Sequence, residues 1–178
     1  DCPMTLATLT PGTWTVDPVH SDVAFVARHL MVTKVRGRFT DVSGTVTVAE
    51  DFSSSTVSAS AAVASVDTGN ADRDAHLRSA DFFDAETYPE ITFASTAITP
   101  TSLTGDLTIK GVTKSATFDL DFAGVATDPW GNTKAAFEAR TDVLRKDWGL
   151  TWNAALDGGG VLVSDKVTLS LDIQLVKA

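Results

Sequence analysis

VTLSLDIQLV, residues Val167 to Val176, places Val167, Leu169, Leu171, Ile173 and Leu175 at every second position, with Thr168, Ser170, Asp172 and Gln174 between them. In an extended chain alternate side chains point to opposite faces, so this stretch reads as an antiparallel strand with one apolar and one wet face. TFDLDF repeats the pattern with Phe118, Leu120 and Phe122 against Asp119 and Asp121. SLTGDLTI does so with Leu103, Leu107 and Ile109 against Thr104, Asp106 and Thr108. GTWTV, DVAFVARH, GRFTDVSGTVTV, TVSASAAVASV, EITFAST and TKAAFEARTDV are further strand candidates, punctuated by the turn signals DFSSS, KGVTK, DPWGN and DGGG.

Eight or nine strands with short connections describe a meander, which must either close on itself or protect two edges. The expected fold is therefore all-β, an antiparallel up-and-down barrel of about eight strands. Periodicity leaves a sandwich open, and the difference matters: sandwich faces fill each other, whereas an eight-stranded barrel has room for one small ligand. Ala59, Ala61, Ala135 and Ala139 fall at inward positions. Small residues there either leave space or pack a tapered barrel end.

One stretch breaks the pattern. RDAHLRSADFFD, Arg73 to Asp84, follows Asn70, a residue suited to capping a first turn, and Asp72 and Asp74 suit the positive end of a helix dipole. A short helix is expected from Ala71 to Ser79. The Phe82-Phe83 pair after it needs burial, and the segment is expected to lie across a barrel mouth.

At 178 residues, with no compositional break, the chain reads as a flexible tail over 1–11 and a single domain over 12–178. A formal net charge of -9 argues against a duplex-binding surface and general adhesion to anionic membranes, and no apolar run approaches the roughly 18 residues of a spanning helix, so neither nucleic acid nor stable membrane insertion is expected. Cys2 is the single cysteine, which excludes an internal disulfide framework and a Cys-rich metal site. DCPMTLATLTPG has neither a basic nor an apolar leader region, so a cytoplasmic location is expected, or a periplasmic or secreted one where a signal peptide has been removed.

Five ordered motifs add a resemblance. WTVDPVHSDVAF, RHLMVTKVRGRF, SVDTGNADRDAHLRSADFFDAETYPEITFAST, GDLTIKGVTKSATFDL and RKDWGL together resemble the YceI family, also called polyisoprenoid-binding proteins, from about Gly12 to the last strand. The resemblance implies a lipocalin-like barrel with one helix, often dimeric, that encloses a long-chain isoprenoid, quinone or similar amphiphile and has no catalytic machinery or cofactor. Strands of about ten residues tilted by about 40° make a barrel on the order of 25 Å long, enough to sheath much of a lipid tail. The expected wall residues, apolar and at inward parity or in the aromatic pair, are Phe25, Phe39, Phe82, Phe83, Phe93, Leu107, Phe118, Phe137 and Trp148. Arg73, His76 and Arg78 are candidates for a polar head, because guanidinium forks suit phosphate and a cationic His adds charge.

Other chemistries find little support. His20, His29 and His76 lack metal-ligand spacing, so no metal is expected. VTKSA has no preceding glycines of a phosphate loop, and GGGVLV has no strand-to-helix context; both read as turns. RKDWGL sets Arg145 and Asp147 beside Trp148, which suits a structural ion pair better than acid-base work. A barrel enzyme using His29 or His76 for proton transfer stays open as the alternative to a carrier, as does a filled barrel whose outer surface mediates assembly.

Overall fold

The computed structural model of the chain describes residues 9–30, 32–153 and 163–178, with His29 described by its backbone. Eleven strand segments are present: β1 (Gly12–Val16), β2 (Asp22–His29), β3 (Thr33–Phe39), β4 (Val42–Val48), β5 (Thr56–Ala62), β6 (Val66–Asp67), β7 (Glu90–Thr99), β8 (Ser102–Ile109), β9 (Val112–Thr127), β10 (Thr133–Leu144) and β11 (Lys166–Lys177). All pairings are antiparallel, and the first six segments merge into three long bent staves. Gly12↔Val48 in β1–β4 and Val23↔Phe39 in β2–β3 belong to one hairpin, interrupted at residues 17–21 and 40–41. A 3-10 turn at Val63–Ser65 likewise bends β5 into β6. The remaining five strands are continuous, which makes eight staves. The barrel closes because the edge of β11 opposite β10 is shared by β2, at Thr168↔Val26, and β1, at Trp14↔Lys177. Closure removes the paired-edge problem over most of the sheet.

The turns sort the barrel into two ends. At one lie Leu30 and Val32 between β2 and β3, helix α1 (Ala71–Arg78), the β8–β9 turn and residues 145–153 and 163–165 between β10 and β11; at the other lie residues 49–55 and the β7–β8 and β9–β10 turns. The expected KGVTK turn is confined to Lys110 and Gly111, both at positive φ, and VTKSA is the start of β9 and not a turn. Gly111 is required there, since a Cβ would come within 2.6 Å of the Tyr88 ring. The expected DGGG turn and residues 158–162 of GGGVLV lie outside the described residues.

Helix α1 ends one residue before the expected Ser79, which serves as its C-cap. Asn70 caps it as its residue type suggests, its Oδ1 accepting from the Arg73 amide at 3.0 Å. The helix has little apolar face of its own, so a buried polar contact ties it down: Asp74 Oδ1 accepts from the Thr68 amide at 2.9 Å and the Thr68 hydroxyl at 2.6 Å. At the opposite end Leu9, Trp14, Val48, Ala135, Phe137 and Leu175 form a buried cluster. Packing thus starts at Leu9, inside the stretch expected to be a tail, while residues 1–8 lie outside the described residues.

Candidate functional site

The inward faces of the staves enclose a cavity of about 290 Å³, near the lower end of the ~300–1,000 Å³ range of small-ligand pockets. Its lining is apolar except for Ser43, Ser60, Thr92 and Arg145. Phe25, Phe39, Phe82, Phe83, Phe93, Leu107, Phe118, Phe137 and Trp148 all line it. Of the small inward residues, Ala59, Ala61 and Ala139 line it as well, whereas Ala135 is packed in the cluster around Trp14.

Aromatic contacts hold the wall in place. Phe25 lies 5.7 Å from Phe39, which meets Phe83 edge-on at 5.9 Å, and Phe93 meets Phe118 edge-on at 5.6 Å. Phe25 lies over its cross-strand partner Gly37, where any Cβ would collide with the ring, so glycine makes room for the aromatic. Trp148 presents a large apolar surface without an orphaned donor, because its Nε1–H reaches the Leu107 carbonyl at 2.9 Å.

Arg145 is the charged residue of this lining, and it is 5% exposed. Its guanidinium donates to the carbonyls of Leu150 (2.7 Å), Trp152 (2.9 Å), Ser164 (2.9 Å) and Val163 (3.3 Å). It thereby draws both flanks of the β10–β11 connection to the barrel end. Asp165 is its ion-pair partner, at 3.9 Å, and not the neighbouring Asp147, which is exposed. Burial pulls the Arg145 pKa below its ordinary value, and the Asp165 carboxylate offsets part of that. Sequence reading noticed RKDWGL but did not single out this residue as a wall cation. Its burial depends on carbonyls up to nineteen residues away, which no local pattern in the sequence marks.

The three head-group candidates are not part of the cavity lining. Arg73 turns to Thr68, donating to its hydroxyl at 2.7 Å and its carbonyl at 2.8 Å. His76 Nε2 meets Asp81 Oδ2 at 2.9 Å, and its ring stands edge-on to Phe82 and Trp152. Arg78, half-buried near the end of α1, has no side-chain hydrogen bond or ion pair among the described residues. The side chain of His29 lies outside the described residues. Among the described residues no cluster of three His, Cys, Asp or Glu is placed to hold a metal ion, and no helix is long and apolar enough to cross a membrane.

Residues 14–175 match the YceI-like domain family. The chain belongs to that family. A UPF0312 protein of Staphylococcus aureus is 37% identical to this YceI-like chain over 159 residues, covering 86% of it and 91% of the relative. Among solved structures, BcnA of Burkholderia cenocepacia superposes with a TM-score of 0.73 at 25% identity, over 89% of this chain and 98% of its own. A polyisoprenoid binding domain from Saccharophagus degradans, implicated in plant cell wall breakdown, superposes with a TM-score of 0.72 over 93% and 98% of the two chains. At 15% identity it shares the fold. These neighbours and this YceI-like chain have the same closed antiparallel barrel.

Proposed function

We propose that the barrel binds a long-chain polyisoprenoid or related amphiphilic lipid, such as a quinone, in its cavity and stores or carries it without chemical change. The observation that carries this reading is the apolar cavity, whose single charged lining residue has its donors committed to backbone carbonyls. Membership of the YceI-like family and the fold shared with a polyisoprenoid binding domain support it. About ten buried methylenes at roughly 0.8 kcal/mol each supply near 8 kcal/mol before ordering costs. Apolar burial therefore suffices without a covalent step.

In this reading the tail lies among Phe25, Phe39, Phe93, Phe118 and Phe137, and the polar head sits at the α1 end. Arg78 is the best placed of the three basic candidates there, since Arg73 and His76 are engaged by Thr68 and Asp81. The test is to titrate delipidated protein with prenyl alcohols and prenyl phosphates of increasing length, record thermal shifts, and analyse the extracted lipid. The expected result is stabilisation that grows with chain length up to the capacity of the cavity, with each lipid recovered intact. A ligand at a hundredfold excess over its Kd adds about 2.7 kcal/mol to stability. Absence of any shift overturns the proposal, and turnover that depends on His29 or His76 establishes the enzyme instead.

A further inference from the structure

The β2–β3 hairpin carries a surface the cavity does not explain. On its outer face Arg28 stands directly opposite Lys34, Val26 opposite Arg36, and Ala24 opposite Arg38, and all four cations are exposed. None of the four has an ion-pair partner among the described residues, in a chain of net charge -9. Like charges placed opposite each other across a strand pair are destabilising, so a binding role is a reason to keep Arg28 beside Lys34. Beyond them the connection presents Leu30, 44% exposed, and Val32, 74% exposed. Arg28 Nη1 reaches the Val32 carbonyl at 3.4 Å, which holds the cation at the base of the apolar tip.

We infer that this hairpin docks the protein on the surface of an anionic phospholipid bilayer, with Leu30 and Val32 entering the interface and Arg28, Lys34 and Arg36 meeting lipid phosphates. Charge complementarity selects that partner, and geometry removes the objection raised by the net charge. Four acidic residues of this wall, Asp22, Asp172, Glu138 and Asp121, share one rung across β2, β11, β10 and β9, while nearer the tip Asp67 faces Arg38 and Asp142 is paired with Lys166 at 3.5 Å. Asp22 is six residues from Arg28, about 20 Å along the strand, whereas the Debye length at physiological salt is about 8 Å. The rung is therefore screened from a surface that touches the tip. Asp72, Asp81, Glu86, Asp147 and Asp165 are exposed at the same barrel end, in the α1 segment and the β10–β11 connection, Asp165 being paired with Arg145 and Lys146, so the barrel tilts to bring the hairpin down first. Peripheral docking of this kind turns the α1 end towards the lipid and involves no insertion of a spanning segment.

The inference does not depend on what fills the cavity. Flotation of delipidated protein with vesicles of phosphatidylcholine alone, or of equal parts phosphatidylcholine and phosphatidylglycerol, tests it. The wild type is expected to float with the anionic vesicles, less so as salt rises, and not with the neutral ones. Replacing Arg28, Lys34 and Arg36 together by Gln should weaken anionic-vesicle binding on the order of a hundredfold. Lys114→Gln, an exposed cation on β9, should change it little, and Leu30→Asn with Val32→Thr should weaken it through lost apolar contact. Melting curves establish that each variant is folded. Strand β3 is paired on its outer edge only at Arg38 and Phe39, so the cations have a competing use as guards of an open edge. Self-association of the triple variant with vesicle binding unchanged would show that use and overturn the inference, as would a wild type that ignores anionic vesicles.

Discussion

Replacing Ala59 by Phe asks directly whether the barrel interior is free to accept a ligand. Ala59 is on β5, between Gly44 of β4 and Phe93 of β7 in register, and lines the cavity. The substitution adds six ring carbons at a point where one cross-strand neighbour, Gly44, has no side chain. If they occupy space that a lipid tail otherwise fills, about six carbons of contact are lost at roughly 0.8 kcal/mol each, near 5 kcal/mol in all. That corresponds to a Kd raised about 10³–10⁴-fold. In a close-packed interior the same change would cost about 1–3 kcal/mol of stability through forced rotamers, whereas filling a cavity costs little. Denaturant melts of apo wild type and variant, with titration of a fluorescent prenyl probe, measure both quantities. The account expects near-equal apo stability and lost binding. Unchanged affinity would place the ligand outside the cavity, and a stability loss of several kcal/mol would mean that this region is solid.

Further changes probe other parts of the account. Phe93→Ala removes a ring that meets Phe118 edge-on and should cost about 3–5 kcal/mol while shifting preference towards longer or bulkier chains, read from the same prenyl panel. Arg145→Met strands the carbonyls of Leu150, Trp152, Val163 and Ser164, and a loss of at least about 3 kcal/mol is expected in chemical denaturation. Asp17 is held below the ordinary carboxylate range, first by its hydrogen bond with His20 and then by Val19 and Lys134, so its folded state binds a proton less readily than the unfolded chain. Its contribution is whole above about pH 4 and is lost as pH falls from there through its lower folded-state value. The Tm gap between wild type and Asp17→Asn should accordingly shrink in acid, and a gap that widens there would contradict the assignment.

The staves were readable because a half-buried strand writes its two faces into the sequence at period two: SLTGDLTI coincides with β8, GTWTV with β1 and DVAFVARH with β2. The short helix was readable from Asn70 and the acids behind it, since capping is a local interaction. Wall residues such as Phe118 and Phe137 followed from parity alone, because in a closed barrel every inward side chain faces the same interior. Side-chain partners followed no such rule. Arg73 and His76 carry the charge a head group needs, yet Thr68 and Asp81 stand within reach and take their donors. The role of Arg145 depends on carbonyls at Leu150, Trp152, Val163 and Ser164 meeting at the barrel end, a long-range event with no periodic signature. The outward cations of β3 read in sequence only as the wet face of a strand; their concentration becomes visible once register sets Arg28 against Lys34.

The most direct test of the central claim is the content of the native protein. Protein purified without detergent would be denatured, extracted with organic solvent, and the extract identified and quantified by mass spectrometry against the protein concentration. The account predicts an intact long-chain amphiphile, prenyl in character, approaching one per chain in wild type and depleted in Ala59→Phe. An extract empty of such lipid, from a protein that after delipidation also takes up none, would contradict it.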